Sequence, residues 1–319
     1  MNGRKVDIKD YFENKSTNVL RTSFVACLLS LHFLSAFSQS RPADSSIVVL
    51  LGTGMPRPDP KAQGPATAVI VGSKVFLFDA GPGVERQLSA AGLPINGVTA
   101  VFITHLHSDH TLGYPDLIFS SWVMGRKKPL EVYGPHGLAS MTQHLYSAFE
   151  QDIQVRTTGL EHQTPLGYLV NVHEIQEGVV YEKYGVRVSA IPVPHGNWKE
   201  SYAYRIDTKD RSVVVSGDTR PNEKLVEASR GVDALIHEVY PEARLAPERR
   251  PGGEDWPKYM REFHTSDKEL GALAARIKPK LLILYHVVRM GGTDEEMLSA
   301  IRAEGFGGRV VVGKDLERY

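Results

Sequence analysis

The sequence predicts an α/β fold in which two ββα halves pack face to face. Two observations carry this. The order hairpin, aspartate, helix, strand occurs once from Ala68 onward and again from Tyr202 onward. In addition, Thr104-His105-Leu106-His107-Ser108-Asp109-His110 directly follows Val98-Thr99-Ala100-Val101-Phe102-Ile103, a β-branched and apolar run that reads as a buried strand. That places three histidines and a carboxylate on the loop leaving the carboxyl end of a strand, where open α/β sheets keep their chemistry.

The elements follow in order. Ser46 to Leu51 is a strand stopped by Gly52-Thr53-Gly54, and Met55 to Pro65 is a loop rich in Pro and Gly. Ala68–Val71 and Val75–Phe78 form a hairpin about Gly72-Ser73, with Asp79 at its end to brace the histidine loop through hydrogen bonds. Val84 to Ala91 is helical, stopped by Gly92. After the histidine loop, Leu112 to Met124 reads as a helix beginning just past His110, with Trp122 and Met124 as candidates to line a pocket. Leu130 to Pro135 is a strand and turn, and Leu138 to Gln151 a helix; His136 and His144 read as structural or exposed. Residues 152–190 read as further strands with a turn at Glu182 to Gly185. Arg187 to Val193 is a strand leading to His195. Tyr202–Asp207 and Ser212–Ser216 form the second hairpin, which Asp218 ends. Asp233–Ile236 is a strand followed by His237 and Glu238. Tyr240 to Phe263, with four prolines and two glycines, reads as a lid or binding loop. His264-Thr265-Ser266 then caps a helix over Asp267 to Ile277, and Leu281–Leu284 is a buried strand ending at His286.

Composition sets the outer bounds. In 319 residues, 37 Lys and Arg balance 37 Asp and Glu, and 42% are hydrophobic, which supports a sizeable core and excludes a disordered chain. Residues 1–38 stand apart. Arg21, the apolar run Phe24 to Phe37 and the small residues of Ala36-Phe37-Ser38 have the order of a secretory signal, and the run is short for a membrane span. The expectation is an N-terminal extension and signal peptide over 1–38 and one hydrolase domain over 39–319. Residues 1–38 hold five of the cations, three of the acids and the sole cysteine, Cys27. The remainder is slightly acidic and has no thiolate to offer, so any metal must be held by imidazole and carboxylate.

His-x-His-x-Asp-His after a buried strand resembles the signature of the metallo-β-lactamase superfamily. The resemblance runs from about Ile47 to Tyr319 through Leu51-Gly52-Thr53-Gly54, Phe78-Asp79-Ala80-Gly81, Pro194-His195-Gly196, Ser216-Gly217-Asp218-Thr219 and Leu284-Tyr285-His286. It implies a four-layer αββα sandwich, two mixed β-sheets flanked by helices. It also implies a dinuclear site: His105, His107 and His195 on one ion, Asp109, His110 and His286 on the other, Asp218 bridging. Nitrogen and hard oxygen donors suit two zinc ions, with manganese or iron as alternatives. Two ions sharing a hydroxide can clamp the attacking and leaving oxygens of a displacement. The catalytic candidates are Asp109, His264 and Glu238. His264 resembles the proton-donating histidine of ribonuclease Z, with Glu238 as its partner carboxylate; its alternative role is helix capping.

Ribonuclease Z is also resembled at Tyr133-Gly134-Pro135 and at Gly217-Asp218-Thr219-Arg220. Three departures point elsewhere. The long basic arm of that family, inserted after the third histidine motif, has no counterpart in the about 22 residues between His195 and Asp218. Its Arg-Asn loop is replaced by Lys61 to Thr67. The slightly negative charge lacks a basic stripe for a polyanion. Together with the signal pattern, these favour the secreted branch similar to metal-dependent aryl and alkyl sulfatases. The expected function is therefore a periplasmic or secreted metal-dependent hydrolase of small sulfate or phosphate esters. Its partner would be a small-molecule ester, with no nucleic acid and no stable membrane association after signal cleavage; a homo-oligomer is compatible with this reading. The alternatives are a ribonuclease Z-like phosphodiesterase, a lactonase or related hydrolase, and a non-catalytic metal-binding protein of the same fold.

Overall fold

The computed structural model describes residues 45–246 and 255–319, which belong to one compact unit. The signal-peptide expectation for residues 1–38 lies outside the described residues. The first half contains β1 (Ile47–Gly52), β2 (Ala66–Val71), β3 (Lys74–Phe78), α1 (Val84–Ala90), β4 (Val98–Phe102), α2 (Ser108–Thr111), α3 (Gly113–Val123), β5 (Leu130–Gly134), α4 (Leu138–Ala148), α5 (Glu150–Thr158) and β6 (Val170–Glu174). The second contains β7 (Gly178–Lys183), β8 (Val186–Pro192), β9 (Tyr202–Asp207), β10 (Ser212–Val215), α6 (Glu223–Ala228), β11 (Ala234–Val239), α7 (Trp256–Phe263), α8 (Asp267–Ile277), β12 (Leu281–Val287), α9 (Asp294–Ala303) and β13 (Arg309–Val312).

Six strands form one sheet in the order β1-β2-β3-β4-β5-β6, and seven form the other in the order β13-β12-β11-β10-β9-β8-β7. Both are mixed: the hairpin β2/β3 is antiparallel and β3/β4 parallel, as β9/β10 is antiparallel and β10/β11 parallel. Strand periodicity explains the layering, because alternate side chains face opposite ways. In β1, Val48 and Leu50 enter the core between the sheets, where they join Phe78, Phe102, Tyr204, Val213 and Ile283. Val49 and Leu51 face outward and pack with Leu88, Leu117 and Trp122 of the flanking helices. On the far side, Val214, Leu235 and Leu282 do the same with Leu225, Leu270 and Met297. The result is the expected αββα sandwich with two duplicated halves.

Several elements depart from the sequence reading. The helix expected from Leu112 begins earlier, since Ser108–Thr111 already makes one turn that carries Asp109 and His110. Residues 152–158 continue a helix, α5, and are not strand. The region read as an open loop up to Phe263 ends in α7, capped by the Asp255 carboxylate accepting from Lys258 N. Strand β11 runs on to Val239, so His237 and Glu238 are strand residues. Of the two pocket candidates, Trp122 is fully buried and its indole donates to Thr164 O, whereas the exposed Met124 lines a surface cleft with Phe119, Val123 and Arg156. Ser266 alone caps α8, through a capping box with Glu269, which leaves His264 out of the cap. Among the described residues, no helix is long and apolar enough to cross a membrane.

Candidate metal centre

The candidate ligands come from the carboxyl ends of strands. His105, His107, Asp109 and His110 follow β4, His195 follows β8, Asp218 follows β10, and His286 lies near the end of β12. Asp79 at the end of β3 shapes the histidine loop. In a left-handed backbone conformation (φ 60°), it accepts from Thr104 N at 2.8 Å and from Thr104 Oγ1 at 3.0 Å, and its carboxylate lies 2.8 Å from His110 Nδ1. The bracing role expected of it is thus present. Gly217, before Asp218, also has positive φ, and a Cβ there would lie 2.9 Å from both Thr104 Cβ and Tyr202 O. Only glycine lets that turn close over the loop.

The residues converge as two groups. His105, His107, His195 and Asp218 bring one ligand atom each within 4.8 Å of one another, and so do Asp109, His110, Asp218 and His286. His107 Nδ1 lies 2.9 Å from His105 Nε2 and 3.1 Å from His195 Nε2. In the second group His286 Nε2 is 3.2 Å from Asp109 Oδ2, and His110 Nε2 is 3.3 Å from Asp218 Oδ1. Asp218 belongs to both groups.

These groups can hold divalent metal. His110 Nε2 and Asp218 Oδ1 are buried without a hydrogen-bond partner, an arrangement that proteins avoid unless something else satisfies it. The outward nitrogens are fixed as metal-binding imidazoles usually are: His105 Nδ1 lies 3.0 Å from Thr104 Oγ1, His110 Nδ1 contacts Asp79, and His195 Nδ1 lies 2.8 Å from Phe263 O. Charge follows the same division. Burial keeps His105 and His107 below the usual imidazole range and His195 down at about 3, so their lone pairs are free. Burial also opposes charge on His286, but Asp218 and Asp109 outweigh it and hold the ring up at about 9. Asp218 stays ionised against burial because His286, His110 and His105 surround it.

Glu238 and His264 stand beside this centre. His264 Nδ1 is 3.0 Å and 3.1 Å from the two oxygens of the buried Glu238 carboxyl group. Glu238 Oε1 also accepts from Thr219 N at 2.8 Å, next to Asp218. The His264 ring lies 5.3 Å from that of His195 and 6.1 Å from that of His286. Burial lowers His264 to about 4 and, together with Asp218, pushes Glu238 well up. The same environment thus disfavours charge on both members of the pair. One neighbour escapes sequence reading: Trp198 donates its indole N–H to His107 Nε2 at 2.8 Å, across 91 positions, and no local pattern signals that contact.

Comparison with known proteins agrees with this geometry. The beta-lactamase superfamily domain family matches residues 74–287. Ribonuclease Z of Mycobacterium marinum is 35% identical over 279 residues, covering 85% of this chain and 97% of that protein. Ribonuclease Z of Mycobacterium avium is 34% identical over 277 residues, covering 85% and 96%. Among solved structures, the metallo-β-lactamase fold protein YhfI of Bacillus subtilis superposes with a TM-score of 0.67 at 20% identity, over 86% of this chain and 100% of that one. The short form of human tRNase Z does so with a TM-score of 0.64 at 23% identity, over 86% and 98%.

The chain is thus a metal-dependent hydrolase acting on ester bonds, but two expectations are overturned. Its relatives are named ribonuclease Z, not sulfatase, which removes the reading as a hydrolase of small sulfate or phosphate esters. The same names, with a tRNase Z among the fold neighbours, remove the expectation of a small-molecule ester partner and no nucleic acid. The missing basic arm misled the sequence reading. An alignment that pairs 85% of this chain with 97% of the Mycobacterium marinum protein leaves no room for a long arm in one and not the other. Overall charge misled it too, because a nearly neutral total does not exclude a local cationic surface. From the matched superfamily domain and these end-to-end alignments, the chain belongs to the beta-lactamase superfamily and, within it, to the ribonuclease Z family.

Proposed function

We propose that this protein is a ribonuclease Z-like phosphodiesterase that cleaves RNA with two divalent ions. His105, His107 and His195 would hold one ion and Asp109, His110 and His286 the other, with Asp218 between them. Imidazole and carboxylate donors favour zinc, with manganese or iron in the same donor range. When bound, such ions polarise the phosphoryl oxygens and bring the pKa of water close to neutrality. The observation that carries the reading is the His264–Glu238 pair beside the two ligand groups. A departing ribose oxygen needs a proton, and an imidazole oriented by a carboxyl group is suited to supply one. Glu238 engages Nδ1 and orients the ring, so that Nε2 is the nitrogen able to deliver it.

The test is cleavage of a tRNA precursor by the zinc-loaded protein, with metal analysis alongside. The expected outcome is cutting of the precursor with two ions per chain, and joint loss of both ions in Asp218→Ala. A loaded protein that leaves RNA intact, or that binds a single ion at saturation, would overturn it.

We also propose that residues 1–38 direct export to the periplasm or outside the cell. Arg21, the apolar run to Phe37 and Ala36-Phe37-Ser38 support this. On that reading the RNA it meets is not the cytosolic tRNA pool. The mass of the protein isolated from its own cells should correspond to a chain starting near Gln39; an intact start in the cytosol would remove the export reading.

A further inference from the structure

We propose that Trp198 is the stacking platform for a nucleobase flanking the cleaved bond, which rests on the nuclease reading above. Beside the metal centre lies a cavity of about 340 Å³ lined by Leu106, Pro135, His136, Trp198, Lys199 and Glu200. Its size falls within the roughly 300–1,000 Å³ of small-ligand clefts. Trp198 is half-buried and joins this cavity to the centre: its ring lies 4.9 Å from that of His107 and 6.0 Å from that of His105. A phosphodiester held at the metal centre carries a base on each side, and this cavity is a near neighbour of the phosphate position. Leu106 and Pro135 give the cleft apolar surface, and the exposed Lys199 adds a cation beside it, the pairing that single-stranded RNA uses: an aromatic face for the base and a positive charge for the backbone.

The hydrogen bond to His107 does not make Trp198 a brace for a metal ligand. An indole N–H only donates, so the bond needs His107 Nε2 as acceptor. An ion on Nδ1 leaves the ring proton on Nε2, and two N–H groups then face each other. With an ion on Nδ1 this tether would be lost, and the indole would be left to serve the cleft.

The experiment pairs the protein with its substrate. Wild type, Trp198→Ala and Trp198→Phe, each zinc-loaded and checked for metal content, would be assayed on a tRNA precursor and on the same RNA with an abasic ribose on one or the other side of the cleaved bond. Base–aromatic stacking predicts a KM roughly 5- to 100-fold higher for Trp198→Ala, with kcat little changed and Phe restoring most of the loss. Removing the stacked base should cost wild type a similar factor and cost Trp198→Ala nothing more. Losses that multiply at both abasic positions, or a fall in metal content with kcat, would overturn the platform while leaving the nuclease reading intact. Failure of wild type itself to cleave RNA would strike the nuclease reading, and the platform with it.

Discussion

His264 is the residue whose role the structure narrows most. Its position before a helix suggests capping, yet Ser266 makes the cap and His264 turns to Glu238. Replacing it by Ala should slow substrates with poor leaving groups by about 10²–10⁴-fold, the usual worth of a general acid. With a nitrophenolate leaving group the effect should nearly vanish, because that anion departs without a proton. Glu238→Gln should give a milder version, since it orients the ring and shares its proton. Steady-state rates over a series of leaving groups check this. An equal loss across the series, or a loss of bound metal, would show that His264 holds the centre together instead.

At the scale of elements, the site depends on how strand ends are tied to one another. Thr104 N and Oγ1 both donate to Asp79, and His110 meets the same carboxylate, so the end of β3 fixes the loop after β4. Asp79→Asn keeps the shape but cannot accept from all three groups. Zinc affinity in a competition assay should fall roughly 10- to 100-fold, the usual effect of losing a partner behind a ligand, while the circular dichroism spectrum stays unchanged. An unchanged affinity would mean that the loop holds its form without the brace.

The whole molecule should show its buried histidines in the pH dependence of metal-free stability. His105, His107, His195 and His237 are held below the usual 6.5 by burial, His195 to about 3 and His237 to about 4. As pH falls below 6.5 the unfolded chain takes up protons that the folded chain refuses, so stability drops toward pH 4. His286, held at about 9, and His110, also raised, act the other way: their contribution is full below 6.5 and is lost as pH rises through the folded value. Glu238 and His264 oppose each other: the raised Glu238 favours the folded chain at low pH, and His264, lowered to about 4, favours it at higher pH. Urea midpoints of chelator-treated protein should therefore peak near about pH 6.5–7 and fall on both sides. A flat profile from about pH 5 to 9 would contradict the neutral and charged assignments, and zinc should raise the midpoint throughout by binding only the folded state.

The sequence by itself marked most strands up to β12 and the two hairpin–aspartate repeats, and the family resemblance named the candidate ligands. The strands and repeats rest on local signals, period-two burial and turn residues, and only His105 to His110 cluster within a few positions; His195, Asp218 and His286 are tied to them through the resemblance. Tertiary structure decided the rest. The helical turn Ser108–Thr111 is too short for a periodic pattern, yet it carries Asp109 and His110 into a second ligand group with Asp218 and His286. Asp218 joins two groups only because β10 and β4, in separate sheets, bring their carboxyl ends together. The 3.0 Å contact of His264 with Glu238 spans 26 positions and is expected only through the resemblance, and that of Trp198 with His107 spans 91 and is not expected at all. Such contacts are fixed by sheet order and packing, and chain separation of that size leaves no trace in local spacing.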